Sequence, residues 1–267
     1  MDKEKILIVT HEMDPYVMIS SAAELVRSLP KPLQDEEMDV RILMPRFGSI
    51  NERRHRLHEV VRLSGINIVV NDEDYPLIIK VASLPGARLQ VYFLDNEEFF
   101  RRKSVFADRK TDELFPDNDD RMIFFAQGVL ETVKKFGWPP NIIHLHGWFS
   151  SLIPLFIEKV YKDEPVFADA SVIYSAYAEQ FSGDLGDAFS QKIKVDSSIT
   201  DEDIEIFKKG DHFSLSLGAM KYADHVLIAE EVEKDYASKI DQKKLALKSS
   251  EINPENILSV YQKLIEK

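Results

Sequence analysis

Two histidines stand two residues apart near the end of a short apolar run. His144 and His146 belong to the stretch 141–146, which follows the chain breakers Pro139 and Pro140 and is predicted to be a buried strand. Side chains two apart on a strand point to the same face, so the pair invites a metal-site interpretation. A zinc site needs a third protein ligand, and no HxxH pattern or acidic partner stands nearby. We therefore interpret His144 as a hydrogen-bonded core histidine and His146, at the strand tip, as a ligand-facing group.

The residues after His146 predict how this group is positioned. Apolar side chains recur there at helical spacing, namely Phe149, Leu152, Ile153, Phe156, Ile157 and Val160. Pro154 is compatible with a helix that begins near Ser151, because the first amides of a helix have no intrahelical partner. The tripeptide 146–148 therefore lies where a strand gives way to a helix. In open α/β sheets that is where ligands bind.

The second candidate site is the loop that follows the first predicted strand, which spans residues 6–10. A loop that grips a diphosphate needs close backbone approach, which glycine permits, yet the segment 10–21 has neither glycine nor lysine. Ser21 and Glu24 instead form an S-x-x-E pattern, which predicts a capping box at the start of the following helix. We expect these side chains to occupy the helix N-terminus and leave a poor diphosphate site.

Other motifs are weaker. GxSxG, HExxH and GxxxxGK[ST] patterns are absent from the sequence. The two glycines of 182–187 match no nucleotide-binding spacing and predict a polar turn. The basic run 101–103 is interpreted as a solvated patch, with an anion or glycan contact as the alternative.

Composition excludes several classes of protein. The 267 residues are 44% apolar, carry a formal charge of −12 and include no cysteine. The acidic balance argues against nucleic acid and anionic membranes as partners, and the missing thiols exclude disulfides and cysteine chemistry. No run is long enough to span a bilayer, and the N-terminus lacks a signal-peptide pattern. We expect a cytoplasmic protein.

Strand and helix patterns alternate along the chain. The strand 6–10, an apolar helical stripe ending at Leu33 and the strand 40–44 form a β-α-β unit, which predicts a parallel sheet with a right-handed crossover. Residues 59–94 contain three strand-like runs, which predict a β-meander inserted at the sheet edge. Further strands are predicted at 171–176 and 225–229. The list of predicted helices is 117–136, 201–208, 213–222, 230–239 and a final helix after the Asn253-Pro254 cap.

Several motifs together resemble one family. KILIVTHEMDPY, DVRILMPRFGSI, DNDDR, NIIHLHGWFSSLIP and KYADHVLIA occur in the order found in the N-terminal domain of bacterial glycogen and starch synthases. The whole chain is similar to the short, single-domain glycogen/starch synthase-like proteins of the Bacteroidota. The resemblance implies an α/β fold: a Rossmann-like parallel sheet with helices on both faces and the inserted β-meander, the N-terminal half of a two-domain glycosyltransferase B-type fold. It implies that residues 1–240 form this domain, 241–252 a linker and 253–267 an amphipathic C-terminal helix.

The implied family activity is transfer of glucose from ADP-glucose to an α-1,4-glucan, without a metal or other cofactor. Five residues match family positions and are carried over as ligand-facing: Glu12, Pro15, Arg46, His146 and Trp148.

Other family positions are changed. The family's Lys-Thr-Gly-Gly-Leu run, which meets the donor diphosphate, falls on Met18, Ile19, Ser20, Ser21 and Ala22. The aspartate of its His-Asp-Trp motif is Gly147, and its active-site histidine falls at Tyr177. The second domain of the family is absent from the sequence. These departures all fall on donor or catalytic positions, whereas the apolar stripes of the core are intact.

Three hypotheses follow. The favoured one is a synthase-like domain without stand-alone catalysis that binds an α-1,4-glucan or maltooligosaccharide, or associates with a synthase partner. The second is an active hexosyltransferase completed by a homo-oligomer or a second chain. The third is a regulatory interaction module without a carbohydrate ligand, for which the final helix is a candidate contact surface, although burial of that helix on its own domain is favoured.

Overall fold

A single mixed sheet runs through the protein in the computed structural model, which describes residues 3–178, 181–228, 236 and 239–266. The strands are β1 (Lys5–Thr10), β2 (Asp39–Pro45), β3 (His58–Glu59), β4 (Ile66–Val70), β5 (Glu73–Ser83), β6 (Gln90–Asp95), β7 (Ile142–His146), β8 (Ser171–Ala176), β9 (His225–Ile228) and β10 (Leu245–Leu247). Across these described residues the order is β10-β9-β8-β7-β1-β2-β6-β5-β3, with β4 paired to β5.

Parallel pairing dominates the sheet, as the β-α-β pattern predicts. β1 is central and pairs in parallel with β2 on one side and β7 on the other. Its residues Ile6, Leu7, Ile8 and Val9 are 0% exposed. A strand covered on both faces has a continuous apolar sequence because neither face meets water. The apolar run therefore predicted β1 correctly.

The predicted β-meander is confirmed at one edge. β6 pairs in parallel with β2, β5 runs antiparallel to β6, and both β3 and β4 pair antiparallel with β5. The insertion therefore extends the parallel core by antiparallel strands without interrupting it.

The helices are α1 (Ala22–Ser28), α2 (Pro30–Asp35), α3 (Glu52–His55), α4 (Glu97–Phe100), α5 (Asn118–Phe136), α6 (Ile153–Lys159), α7 (Phe189–Lys192), α8 (Asp201–Ile204), α9 (His212–Tyr222) and α10 (Pro254–Ile265). Among them, α6 contacts both α5 and α9, and α2 contacts both α1 and α10. None of the helices in the described ranges is both long and apolar enough to cross a lipid bilayer.

Three predicted helices differ in detail. The stripe after β1 divides into α1 and α2 at Pro30, whose missing N–H cannot continue a helix. After β7, a 3-10 turn at Trp148–Ser150 precedes α6, which has Pro154 in its first turn. The stretch 201–208 divides into α8 and a 3-10 turn, and Thr200 caps α8 in a capping box as predicted. The predicted helix 230–239 lies mostly outside the described residues.

The C-terminal segment joins the sheet and its covering helices. The stretch 241–252, predicted as a linker, contains β10, which pairs in parallel with β9. α10 starts at the predicted Asn253 cap, whose side chain accepts the amide of Asn256. Ile257 and Tyr261 on α10 are 0% exposed. The final helix is therefore buried on its own domain through these residues.

We predict that Gly218→Ala destabilises the protein by about 1–3 kcal/mol, the usual cost of overpacking a core. A Cβ at position 218 of α9 would lie 2.1 Å from Cε1 of the Phe207 ring, which is 0% exposed. The gain of about 1 kcal/mol in helix propensity from glycine to alanine is smaller than this clash. Urea unfolding measures the difference, and the double variant Phe207→Leu/Gly218→Ala should recover part of it. An unchanged midpoint for Gly218→Ala would contradict the packing described here.

Candidate functional site

Three parallel strands end beside one another and bring the candidate residues together. His11 and Glu12 follow β1, His146 is the last residue of β7, and Tyr177 follows β8. The register pairs Thr10 with His146 across β1 and β7, and His146 with Ser175 across β7 and β8. The carboxyl edge of the sheet therefore gathers two predicted positions, Glu12 and His146, with the changed position Tyr177.

Glu12 is the anchor of the loop after β1. Its Oε2 atom accepts hydrogen bonds from the backbone amides of Ile19 at 2.9 Å and Ser20 at 2.7 Å, and its Oε1 accepts the Ser20 hydroxyl at 2.7 Å. The side chain of Glu12 is 0% exposed. The Ser20 hydroxyl oxygen also accepts the amide of Ala22 at 3.1 Å. Two backbone amides of the loop just before α1 thus hold a carboxylate of the same chain, and the first amide of α1 is held by the Ser20 hydroxyl.

The predicted capping box of Ser21 and Glu24 is wrong. Ser21 forms no side-chain cap, and its φ of −61° and ψ of −18° are helical. An N-cap side chain reaches back to the helix amides from an extended backbone, so a serine already in the helical region does not do so. The first amide of α1, that of Ala22, donates instead to the Ser20 hydroxyl, Glu12 holds the two loop amides before it, and Glu24 is exposed.

His144 is a core histidine, as its interpretation predicted. Its Nδ1 bonds the Tyr261 hydroxyl at 2.5 Å and its Nε2 bonds Ser175 Oγ at 2.7 Å. His146 packs against it with ring centroids 3.9 Å apart, and His146 Nδ1 bonds the Tyr177 hydroxyl at 2.7 Å. Tyr261 of α10 and Tyr177 after β8 are therefore linked through the two stacked imidazoles.

Burial keeps these groups neutral. Desolvation lowers the pKa of His144 well below its usual value, with His146 adding to the effect. Burial, with a smaller contribution from His11, lowers the pKa of His146 to about 3. The pKa of the Tyr177 hydroxyl is raised by burial and by nearby Glu12. His146 is 1% exposed, and its Nε2 has no hydrogen-bond partner among the described residues.

Aromatic rings cover Trp148 and His11 at the carboxyl edge of the sheet. Trp148 is 0% exposed and packs against Phe106 at 4.6 Å and Phe181 at 4.7 Å between ring centroids. Phe106 also makes an edge contact with His11 at 5.4 Å, and Phe181 makes one with His212 at 5.7 Å. Trp148 therefore faces packed aromatic side chains, while the ring neighbours of His146 are His144 and Tyr177.

The glycine at the β7–helix junction has a backbone that other residues avoid. Gly147 has φ 74° and ψ 174°, a region accessible in practice to glycine alone. The Ser150 side chain donates to the Gly147 carbonyl at 2.9 Å, and the Gly147 amide donates to the Ser175 carbonyl at 3.2 Å. These bonds hold the turn in a conformation that an aspartate would strain.

The remaining candidates lie around this centre. Arg46, after β2, forms an ion pair with Asp95 at 2.8 Å, and Lys80 contacts the other oxygen of Asp95 at 3.0 Å. Pro15 is partly buried in the turn that follows Glu12. Met18 is 65% exposed, so the loop has an apolar side chain at the surface there. Ser21 is likewise exposed.

No cluster of three or more metal-ligating side chains occurs in the part of the chain that the structure describes. The residues that sequence reasoning missed are the aromatic lid of Phe106 and Phe181 and the partner Tyr261. His11 could have been predicted as a site residue, because it follows the last residue of β1 immediately. Phe106 and Phe181 belong to irregular segments, and the periodicity of strands and helices carries no information about such residues.

Comparisons with known proteins give a consistent result. Residues 5–248 match the family described as Starch synthase catalytic domain. The glycogen synthase of Chlorobium limicola is 35% identical over 222 residues, which are 82% of this chain and 44% of that protein. The glycogen synthase of Chlorobium luteolum is 40% identical over 178 residues, 66% of this chain and 36% of that protein. The chain thus spans less than half the length of these relatives.

A solved structure agrees in fold. The catalytic domain of Starch Synthase IV from Arabidopsis thaliana, bound to ADP and acarbose, superposes with a TM-score of 0.75. The match covers 95% of this chain and 53% of that one at 16% identity, so it bears on the fold alone.

We predict that the buried histidines make stability fall as pH decreases from about 6.5. Burial lowers the pKa of His144 and His146, and it lowers the pKa of His212 to about 4. Below pH 6.5 these histidines bind protons in the unfolded chain but stay neutral in the folded chain, and this difference favours unfolding. Each histidine contributes a slope of up to about 1.4 kcal/mol per pH unit, or about 4 for three.

Urea unfolding between pH 7 and pH 5 measures this slope. His212→Gln should remove about a third of it, while His58→Gln, at an exposed position, serves as the matched control. A slope that is the same in His212→Gln as in the parent would contradict the neutral, buried state of that histidine.

Proposed function

The chain belongs to the starch synthase catalytic domain family, and on that premise we propose that it is a synthase-like domain without stand-alone glucose transfer. In this proposal it acts as a glucan-binding or partner subunit. The reaction implied by the family resemblance moves glucose from ADP-glucose to an α-1,4-glucan. That reaction requires a place for the donor diphosphate and groups that stabilise its departure.

The occupation by Glu12 of the loop amides just before α1, those of Ile19 and Ser20, carries the proposal. A diphosphate at this loop would have to displace a carboxylate that already accepts two amides and a hydroxyl. If both were present, each unit charge 4 Å from Glu12 would be repelled by about 4 kcal/mol at an effective dielectric of 20. The loop supplies no lysine to offset this repulsion, since Met18 stands where the family has one.

Two further positions support the same conclusion. Gly147 provides no carboxylate where the family has aspartate, and its positive φ disfavours one. Tyr177 stands where the family has an active-site histidine, and its hydroxyl is bonded to His146. Because burial raises the pKa of this phenol, Tyr177 stays protonated and does not replace a histidine as a base at neutral pH.

The proposed partner role is supported by exposed apolar side chains in the loop after β1. Met18 is 65% exposed and Ile19 is 43% exposed, and the two are adjacent in the loop that Glu12 anchors. Large apolar side chains side by side at a surface favour contact with another protein. The same observation fits the alternative in which a second chain completes an active hexosyltransferase, so the assay below includes that case.

We predict no incorporation of labelled glucose from ADP-glucose into glycogen by this chain alone. The glycogen synthase of Chlorobium limicola, 35% identical over 222 residues, is the positive control. Co-sedimentation with glycogen should show binding of the chain. Turnover by the purified chain would overturn the loss of catalysis. If the chain shows no turnover and does not co-sediment with glycogen, an interaction module without a carbohydrate ligand is favoured. If turnover appears only when a second chain is added, the completed transferase is favoured.

We predict that Glu12→Ala uncovers a weak anion site at the loop amides just before α1. The variant should lose about 1–3 kcal/mol of stability, because amides of Ile19 and Ser20 lose their acceptor. ADP should then raise the melting temperature of Glu12→Ala by more than it raises that of the parent, since ligand binding stabilises the folded state.

Glu24→Ala is the matched control, because Glu24 is also acidic and lies in the first turn of α1 but is exposed. The comparison with the parent subtracts anion binding elsewhere on the protein. Equal responses of Glu12→Ala, Glu24→Ala and the parent to ADP would show that Glu12 does not occupy an anion site.

A further inference from the structure

A polar cavity lies at the edge of the sheet opposite the candidate site. It has a volume of about 860 Å³ and is formed around the amino-terminal ends of β1, β2 and β6. Its basic side chains are Lys3, Lys31, Arg41 and Arg88, and we call the cavity the basic pocket. Its volume is within the range of about 300–1,000 Å³ that is usual for small-molecule sites. The candidate site described above lies at the carboxyl edge, so the two are separate.

Arg41 is the distinctive residue of the basic pocket. Its guanidinium carbon lies over the ring of Phe136 at 4.5 Å and over the ring of Trp138 at 4.4 Å. Burial lowers the pKa of Arg41, while Tyr92 and Asp39 act in the other direction. The guanidinium of Arg41 contacts these two rings and forms no hydrogen bond or ion pair with any side chain or carbonyl among the described residues.

This stacking leaves the donors of Arg41 available. The N–H groups of a guanidinium lie in its plane, so rings packed against its face do not satisfy them. A half-buried arginine whose donors have no protein acceptor is held in place for a planar anion, because carboxylates and phosphates accept two parallel N–H bonds from it. Its position is fixed before any ligand arrives, which reduces the entropic cost of binding.

The surrounding charges favour an anion over a neutral sugar. Lys3, Lys31 and Arg88 are exposed and form no ion pair within the described part of the chain. The carboxylates of the pocket are those of Asp35, Glu37 and Asp39, and one oxygen of Asp39 accepts the Trp138 indole N–H at 2.7 Å. Four cations thus face three carboxylates on a chain whose net charge is −12.

A neutral glucan would need open aromatic faces for stacking. Tyr92 is the aromatic residue that lines the basic pocket, and its ring makes an edge contact with Phe136 at 4.9 Å. The rings of Phe136 and Trp138 lie outside the lining and are covered by Arg41. We propose that the basic pocket binds a small oxyanion, a phosphate or a polycarboxylate, with Arg41 as the bidentate anchor and Lys31 and Arg88 beside it. This site is independent of the proposed function.

Isothermal titration at constant ionic strength tests the proposal, with inorganic phosphate, pyrophosphate and citrate as probes. We expect saturable binding of at least one probe, and the three arms separate phosphate from carboxylate recognition. Arg41→Gln should weaken that binding about tenfold or more, because it removes a charge-assisted bidentate contact. Arg53→Gln, at an exposed position in α3, is the matched control and should bind as the parent does.

Lys31→Gln/Arg88→Gln keeps the test valid if Arg41→Gln perturbs β2, because both of these side chains are exposed. The double variant should weaken binding several-fold. The absence of saturable binding of all three probes would overturn the proposal. Binding that survives unchanged in both Arg41→Gln and the double variant would also overturn it, since the anion would then be held elsewhere.

Discussion

The rest of the site depends on the buried carboxylate of Glu12. A carboxylate removed from water is tolerated only when hydrogen-bond donors replace its hydration. Here the amides of Ile19 and Ser20 and the Ser20 hydroxyl replace it, at 2.7 to 2.9 Å. Satisfying the carboxylate fixes the path of the loop after β1 and the point at which α1 begins. Under the proposed function these two amides are then not available to a donor phosphate, so ordering the loop and leaving it open to a nucleotide are competing requirements.

The stacked histidines extend this constraint across the sheet. His144 has both ring nitrogens occupied, one by Tyr261 of the last helix and one by Ser175 of β8. His146 packs on that ring and reaches Tyr177. Three of the four ring nitrogens in this neutral pair are hydrogen-bonded, namely both of His144 and Nδ1 of His146. The C-terminal helix is thus part of the polar interior of the domain, although it is the element farthest from the site along the chain.

Sequence patterns predicted the fold well because the fold is expressed in local periodicity. Apolar runs marked β1, β7 and β8, and Thr200 marked a helix start that the structure confirms. The error at Ser21 shows the limit, since an S-x-x-E pattern does not reveal whether its serine has an extended backbone. The contact between Tyr261 and His144 joins residues 117 apart in sequence. Such contacts depend on strand order, which periodicity does not encode, so the polar centre of the site became visible only in three dimensions.

The changed positions are coupled by geometry, which is why they are best understood together. The Gly147 turn is held by the Ser150 hydroxyl and by the Ser175 carbonyl of β8, and Ser175 also bonds His144. An aspartate at 147 would require a different φ and hence a different turn, which would disturb the bonds that orient the histidines. Tyr177, bonded to His146 and close enough to Glu12 for its pKa to respond, links that turn to the β1 loop. The packing at the carboxyl edge is therefore self-consistent, and under the proposed function a nucleotide sugar could enter there only if several linked contacts changed together.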